Sequence, residues 1–278
     1  MVTGIADIGL SHIEYTPGRF PITGTCELPL GYPSGWVSTQ VANDFYNNFR
    51  PKEWNKVHVL WMSACGPNII ISKKPVRNLE DMKGLTIRAP GIVGNTIKAL
   101  GATPAPTPIM EVYDAISKGV IDGVNTPFET LKTFRFAEVA KYTTASWQVG
   151  NVYAFYVVMN KDRYKKLPPD LKAIFDKLCG EFKEKMALMW NIIDFRGEEF
   201  AKKKGVEIID LSPEEATKWR KATAPVIENY VKMMVGKGHS EKEVRGWIKF
   251  VRDRIDYWTA KQIQLGIKSP TGPEAMRP

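Results

Sequence analysis

The sequence predicts an α/β fold, and three observations support that class. Short runs rich in β-forming residues, such as residues 56–62, alternate along the chain with stretches that place apolar residues at helical spacing. The composition, 44% hydrophobic and 25% charged over 278 residues, is that of a globular chain with one large domain or two of moderate size. No apolar run reaches the roughly 18 residues of a candidate membrane-spanning helix.

Local patterns in the first half predict short strands and helices. A strand is expected at 5–10, followed by a loop, and weak helical spacing favours a helix over 38–50. Residues 56–62 alternate as a strand, and the Gly66-Pro67 step after them is a candidate hinge. A helical turn at 78–81, closed by Gly84, precedes a strand at 85–88, and helices are predicted at 92–100 and 107–119.

The second half carries longer helical patterns. A strand and turn at 120–127 lead to a helical stretch at 134–142 and to one long strand, or two consecutive strands, at 145–160. Apolar positions keep a 3.6-residue period from about 168 to 204, and their drift from a strict heptad argues against a coiled coil. Ser212 and Pro213 predict the start of another helix. A last helix is expected at 240–262 and a disordered tail at 269–278.

Several classes of function are disfavoured by what the sequence lacks. The net charge of +9 comes from Lys and Arg spread among acids, so no nucleic-acid partner is expected. Three scattered cysteines and three distant histidines predict neither a disulfide framework nor a metal centre. Phosphate-loop, dinucleotide-binding, serine-hydrolase and zinc-protease motifs are missing. We therefore expect a binding protein rather than an enzyme, with no cofactor and no metal.

The strongest chemical feature that remains is Arg88, at the end of the predicted strand 85–88 and directly before Ala-Pro-Gly. An arginine on a strand is most often an exposed ion-pair partner. Here the chain changes from strand to helix, and α/β proteins place ligands at the ends of strands. A guanidinium stays charged and offers a carboxylate two parallel donors, which lysine cannot do.

Four stretches resemble the solute-binding proteins of TRAP transporters, the DctP family. They are, in the family's order, GIADIGLSHIEYTPGRFPITGTCELPL, PVRNLEDMKGLTIRAPG, LGATPAPTPIMEVYDAISKGVIDGVNTP and VMNKDRYKKLPPDLKAIFDKL. The resemblance implies a two-lobed periplasmic-binding-protein-like α/β fold of the class II type, with hinge strands and a long helix spanning both lobes. The expected N-terminal lobe is 1–65 plus 152–191, and the expected C-terminal lobe is 66–151 plus 192–278.

The resemblance also implies a ligand site between the lobes, in which Arg88 fixes the substrate carboxylate. The family's pocket asparagine after Asp-Gly has only an approximate counterpart, Asn125, one place earlier. A later pocket asparagine matches Asn151. Asn68 falls near the position where some sialic-acid binders carry a second arginine, and His12 falls near a polar pocket position of the first lobe.

The ligand expected from these residues is a monocarboxylate with a 2-oxo, 2-hydroxy or aromatic portion. A dicarboxylate would need a second fixed cation, because an unpaired carboxylate is costly to remove from water, and Asn68 stands where one could have been. Aromatic residues near the candidate segments belong either to the core or to an apolar cavity wall. They are Phe128, Trp147 and Tyr153.

The start of the chain departs from the family pattern. It has no charged n-region and no apolar h-region of a signal peptide, which taken alone predicts a cytoplasmic protein. Because family members carry a signal peptide and further elements before this point, we expect a periplasmic protein whose sequence is truncated, with an incomplete first lobe. The expected partners are a small carboxylate and the membrane permease subunits of a TRAP transporter. A ligand-sensing subunit for a signalling receptor is the alternative, and an enzyme on the same two-lobed fold is a third.

Overall fold

The computed structural model describes residues 2–278, in which nine strands form two sheets. In chain order the strands are β1 (Ile8–His12), β2 (Val57–Ala64), β3 (Ile69–Ser72), β4 (Thr86–Arg88), β5 (Thr103–Ala105), β6 (Gly123–Thr126), β7 (Tyr142–Ala145), β8 (Ala154–Asn160) and β9 (Glu207–Asp210). The first sheet is antiparallel, in the order β1-β8-β2. The second is mixed, in the order β5-β4-β6-β3-β7-β9.

Helices pack around both sheets and confirm the predicted α/β class. They are α1 (Gly35–Phe49), α2 (Gly91–Ala99), α3 (Val112–Ser117), α4 (Thr130–Thr133), α5 (Lys161–Lys165), α6 (Pro169–Lys203), α7 (Pro213–Gly236) and α8 (Glu241–Gln264). The predicted cap of α7 is present, since the Ser212 hydroxyl accepts the Glu215 N–H at 3.1 Å. Within residues 2–278, no helix combines the length and the apolar character needed to cross a bilayer.

Two crossings of the chain connect the sheets. Residues 65–68 lead from β2 to β3, and residues 146–153 lead from β7 to β8. Backbone hydrogen bonds hold the crossings side by side: the Cys65 N–H donates to the Tyr153 carbonyl at 3.2 Å, and the Asn68 N–H donates to the Asn151 carbonyl at 2.8 Å. The predicted hinge position Gly66 lies in the first of these crossings.

Helix α6 is a third link between the sheets. It contacts α1 and β2 beside the three-stranded sheet, and α4 and β9 beside the six-stranded sheet. Its close approach to the segment before α4 requires Gly197, because a Cβ there would lie 2.0 Å from the Phe128 carbonyl oxygen. The helix matches its predicted span to within one residue at each end, and it contacts both sheets as expected.

The lobe boundaries given by the sequence stay a prediction. The strands of the expected N-terminal lobe, β1, β2 and β8, share one sheet. Helix α8, which that division assigns to the C-terminal lobe, packs against α1 beside this sheet. The Asp44 carboxylate of α1 accepts hydrogen bonds from Arg254 Nε and from Trp258 Nε1, each at 2.6 Å.

Three local predictions were wrong, each where contacts distant in sequence decide the structure. Residues 134–142 contain only a 3-10 turn, Phe136–Glu138, before β7. Residues 146–153 turn instead of continuing a strand, and the Gly150 carbonyl accepts the Gly31 N–H at 3.2 Å. The tail 269–278 is packed rather than disordered, because the Thr271 hydroxyl donates to the Pro33 carbonyl at 2.7 Å.

Candidate functional site

A cavity of about 370 Å³ lies between the two sheets. The three-stranded sheet contributes the end of β1 and residues of β8, whereas the six-stranded sheet contributes the ends of β4 and β6. Helices α4 and α6 complete the wall. The lining is largely apolar and aromatic with a few polar groups, which is the usual character of a small-molecule site.

Arg88 is the charged centre of this cavity. Its side chain is 3% exposed, and its position is fixed by Nε, which donates to the Thr107 carbonyl at 2.9 Å. A terminal nitrogen lies 3.4 Å from the Tyr153 hydroxyl, which in turn donates to the Asn125 carbonyl at 3.0 Å. Both partners of the guanidinium are neutral oxygens, and among residues 2–278 no carboxylate forms an ion pair with it.

The aromatic part of the cavity comes mainly from the three-stranded sheet and α6. The His12 ring meets Tyr153 edge to face, with ring centroids 4.8 Å apart, and lies 5.2 Å from Phe155. Phe155 stacks on Trp190 of α6, with centroids 5.6 Å apart. The Trp190 indole N–H donates to the Ser63 hydroxyl at 2.7 Å, which fixes the ring. These rings form a rigid apolar surface in the same cavity as Arg88.

A buried acid pair supports the wall behind His12. His12 Nε2 lies 3.2 Å from Glu27 Oε1, which also accepts the Ala154 N–H at 2.7 Å. Burial raises the pKa of Glu27 to about 8. Burial and the neighbouring Glu27 raise the pKa of Glu14 to about 8 as well. Burial lowers the pKa of His12 to about 4, so this ring is neutral at neutral pH.

Glu14 also joins the two sides of the cavity. It lies two residues after the end of β1, and its carboxyl accepts a hydrogen bond from the Ile92 N–H in the first turn of α2. Only glycine fits opposite it, because a Cβ on Gly91 would lie 1.8 Å from Glu14 Oε2, and the φ of Gly91 is +59°. The start of α2, three residues beyond Arg88, is therefore tied to the first sheet.

The structure brings two of the predicted site residues, Arg88 and His12, to the cavity wall. The three asparagines are buried outside the cavity lining, and among the described residues Asn68 Nδ2 and Asn125 Oδ1 have no hydrogen-bond partner. Asn125 Nδ2 donates to the Ile69 carbonyl at 3.1 Å, and Asn151 Nδ2 lies 3.4 Å from the Thr96 hydroxyl. Neighbouring residues of a strand face opposite sides, so Thr126, one place after Asn125, lines the cavity instead.

Two predicted aromatic residues lie away from the cavity wall. Phe128 is buried in the core beneath the six-stranded sheet, and Trp147 lies in a turn beside α7. The third, Tyr153, does line the cavity. Asn68, the candidate for a second cation position, is buried beside Cys65 in the first crossing.

Sequence reasoning did not single out several lining residues. Tyr15, Phe155, Trp190 and Glu129 all face the cavity. No local pattern identifies them, because an aromatic residue at helical or strand spacing is compatible with a core or a cavity position. Glu129 was not predicted as a lining residue because it lies in a loop, where an acid is usually exposed.

Known proteins similar to this chain include periplasmic binding proteins. The sialic acid-binding periplasmic protein SiaP of Vibrio cholerae is 28% identical over 163 residues, which cover 57% of this chain and 49% of SiaP. An uncharacterized protein of Haemophilus influenzae is 26% identical over 219 residues, covering 77% of this chain and 64% of that protein. The matched part of the chain thus spans between about half and two thirds of these curated relatives.

Solved structures agree with the fold. A TRAP periplasmic solute binding protein from Desulfovibrio salexigens has 35% identity and a TM-score of 0.80, covering 92% of this chain and 79% of that one. A TRAP solute binding protein from Rhodoferax ferrireducens, in complex with copurified benzoate, has 25% identity and a TM-score of 0.86, covering 94% and 82%. The two-lobed fold expected from the sequence is confirmed.

The family itself follows from the sequence match. One family model matches residues 1–233, which is more than half of the chain. It is the DctP model, described as "Bacterial extracellular solute-binding protein, family 7". This is a family of solute-binding transport proteins and not of enzymes. The chain therefore belongs to the DctP family of bacterial extracellular solute-binding proteins.

Proposed function

We propose that this protein captures an aromatic monocarboxylate between its two lobes and delivers it to the membrane permease of a TRAP transporter. The single observation that carries the proposal is Arg88, a buried guanidinium that faces a cavity and has no carboxylate partner within residues 2–278. A buried charge is costly unless it is paired, so an anionic ligand is the natural partner of this group.

The charge of the ligand follows from the lining. Arg88 is the only Lys or Arg among the described residues that face the cavity. One guanidinium matches one carboxylate through two parallel hydrogen bonds, each stronger than a neutral one. A hydrogen bond to a charged group contributes roughly 1.5 to 3 kcal/mol. The binding free energy of a micromolar complex is about 8 kcal/mol, so the carboxylate contact supplies a large part of it but not all. The remainder must come from the apolar part of the ligand.

An aromatic group is the apolar part that fits best. His12, Tyr153, Phe155 and Trp190 provide ring faces and edges in the same cavity as Arg88. The relative from Rhodoferax ferrireducens was crystallised with benzoate, an aromatic monocarboxylate. We therefore place the ligand ring against this aromatic surface and its carboxylate on Arg88.

The site of action is proposed from the family. Because its relatives are extracellular or periplasmic binding proteins, we assign this protein to the periplasm. Its partners are then the aromatic monocarboxylate and the permease subunits.

The proposal is tested by calorimetry with benzoate, phenylacetate and mandelate on the wild type and on Arg88→Lys. We expect the wild type to bind at least one of these acids with micromolar affinity. Arg88→Lys should weaken that binding by at least about tenfold, or 1.4 kcal/mol, because lysine cannot form the two parallel hydrogen bonds. A folded Arg88→Lys protein with wild-type affinity, or a wild type that binds dicarboxylates in preference, would show that another group anchors the ligand.

A further inference from the structure

Glu129 places a carboxyl in the same cavity as Arg88. The residue directly precedes α4, its side chain lines the cavity, and it is 9% exposed. Its backbone is fixed from α6, because the Glu129 N–H donates to Asp194 Oδ1 at 2.9 Å. Gly197 of α6 packs against the same segment, since a Cβ there would lie 2.8 Å from the Glu129 Cα. The backbone that carries the carboxyl is thus held against α6.

No basic side chain compensates this carboxyl. Burial raises the pKa of Glu129, and a hydrogen bond from the Thr133 hydroxyl acts in the opposite direction. No Lys, Arg or His of residues 2–278 is among the groups that shift this pKa. A buried carboxylate with one hydroxyl donor retains unused acceptor positions, which cost free energy until a donor reaches them.

Arg88 and Glu129 are held by different neighbours in the cavity wall. The guanidinium is held between Thr107 and Tyr153, near the start of α2. Glu129 is held against α6 and bonds within its own turn to Thr133. A ligand whose carboxylate meets Arg88 therefore presents a separate part of its surface to Glu129.

We infer that Glu129 makes this cavity selective for monocarboxylates that carry a hydroxyl group away from the carboxylate, an inference that rests on the function proposed above. A ligand hydroxyl donates to the Glu129 carboxylate and fills an acceptor position that the protein leaves open. A charged acceptor makes such a hydrogen bond stronger than one between neutral groups.

The same carboxylate disfavours dicarboxylates. A second carboxylate on the ligand would face a like charge when Glu129 is ionised, in a site from which water is largely removed and where charges interact strongly. The preference for monocarboxylates over dicarboxylates would then have two sources, the single guanidinium of Arg88 and the repulsion from Glu129.

Calorimetry at pH 8 with a matched series tests this inference. The series is benzoate, 3-hydroxybenzoate, 4-hydroxybenzoate, benzene-1,3-dicarboxylate and benzene-1,4-dicarboxylate. We expect the wild type to bind one hydroxybenzoate at least about tenfold more tightly than benzoate, and both dicarboxylates at least about tenfold more weakly. Glu129→Gln keeps the shape and removes the charge, so the rejection of dicarboxylates, measured as the ratio of the dicarboxylate to the benzoate dissociation constant, should fall by about fivefold or more.

The ratio between ligands separates specificity from a structural role, because a structural defect weakens all ligands together. If the wild type binds benzoate but both proteins show the same ratios, the inference is overturned and the proposed function stands. If the wild type binds no aromatic monocarboxylate, both are overturned. Should Glu129→Gln fail to fold, Thr133→Val replaces it: loss of the competing hydroxyl should increase the preference for the hydroxybenzoate, and an unchanged preference would contradict the inference.

Discussion

At the scale of single residues, burial decides both what the site binds and how the fold responds to pH. Arg88 could be predicted because its signal is local: a fixed charge where a strand gives way to a helix. The buried acids Glu14, Glu27 and Glu129 could not, because each is an ordinary polar residue until the fold removes it from water. The pKa of each of them is raised by burial.

Glu27 and its partner Glu14 predict a loss of stability with rising pH. The pKa of Glu27 is about 8 in the fold, above its ordinary value of 4.5, so the folded state holds more protons than the unfolded state between these values. The free energy of unfolding therefore falls as pH rises through this range. His12, with a pKa lowered from 6.5 to about 4, acts in the opposite direction, but only below pH 6.5. Between pH 6.5 and 8, the effect of Glu14 and Glu27 on the free energy of unfolding is therefore not opposed by His12.

Urea unfolding of the ligand-free protein at pH 6.5 and pH 8 measures this effect. Relative to Glu27→Gln, the wild type should lose about 1 kcal/mol per pH unit, somewhat less than the 1.36 kcal/mol expected for one full proton. The side-chain amide oxygen introduced by Glu27→Gln can still accept the Ala154 N–H, so the variant keeps this contact. The same pH slope in both proteins would mean that Glu27 does not hold an extra proton in the fold over this range. Two groups beside Glu27 stay neutral in this range, because burial raises the pKa of Cys26 and Tyr153.

At the scale of elements, local signals predicted the helices and missed the connections. Helices α6 and α8 begin and end within about two residues of their predicted limits, and α7 begins at its predicted cap. These limits were predictable because caps and apolar periods depend on residues that are neighbours in the sequence. The crossing at 146–153 and the packed tail depend on partners such as Gly31 and Pro33, more than a hundred residues away. No pattern within either segment encodes such contacts.

Two glycines of α6 provide a matched test of how this helix holds the site. Gly197→Ala would place a methyl group against the Phe128 carbonyl, and should lower the free energy of unfolding by about 1–3 kcal/mol, as overpacking does. Because the adjacent Glu129 segment must shift, ligand affinity should fall too.

Gly180 is the matched control. It is exposed, with no atom within 4 Å of an added Cβ, so Gly180→Ala should stabilise the protein by about 0.5–1 kcal/mol. Denaturant unfolding measures the stability of both variants, and calorimetry measures their ligand affinity. If both substitutions stabilised the protein equally, the close packing of α6 against the Glu129 segment would not constrain the site.

At the scale of the whole molecule, the site exists only while both sheets contribute to it. His12 and Tyr15 come from one side, Arg88 and Glu129 from the other, and Glu14 binds the start of α2 across the boundary. Two short crossings and α6 connect the sides, and α7 packs against α2 on one side and α8 on the other. Two short crossings beside a helix are an arrangement expected of a hinge, in which a few residues absorb the change in angle.

The burial of Arg88 is the basis of a prediction about lobe movement. Because the guanidinium is 3% exposed, we expect a benzoate-sized ligand to reach it when the lobes separate, and we propose that the arrangement described here corresponds to the closed state. We expect the ligand-free protein to populate a more open state, and saturating ligand to reduce the radius of gyration measured by small-angle X-ray scattering. Arg88→Leu is the control, because it removes the proposed anchor and leaves the backbone hydrogen bonds between the crossings in place, and its radius should not respond to ligand. A wild-type radius that stays constant at saturation would contradict hinge closure, whereas a response in Arg88→Leu would place the closing contact elsewhere.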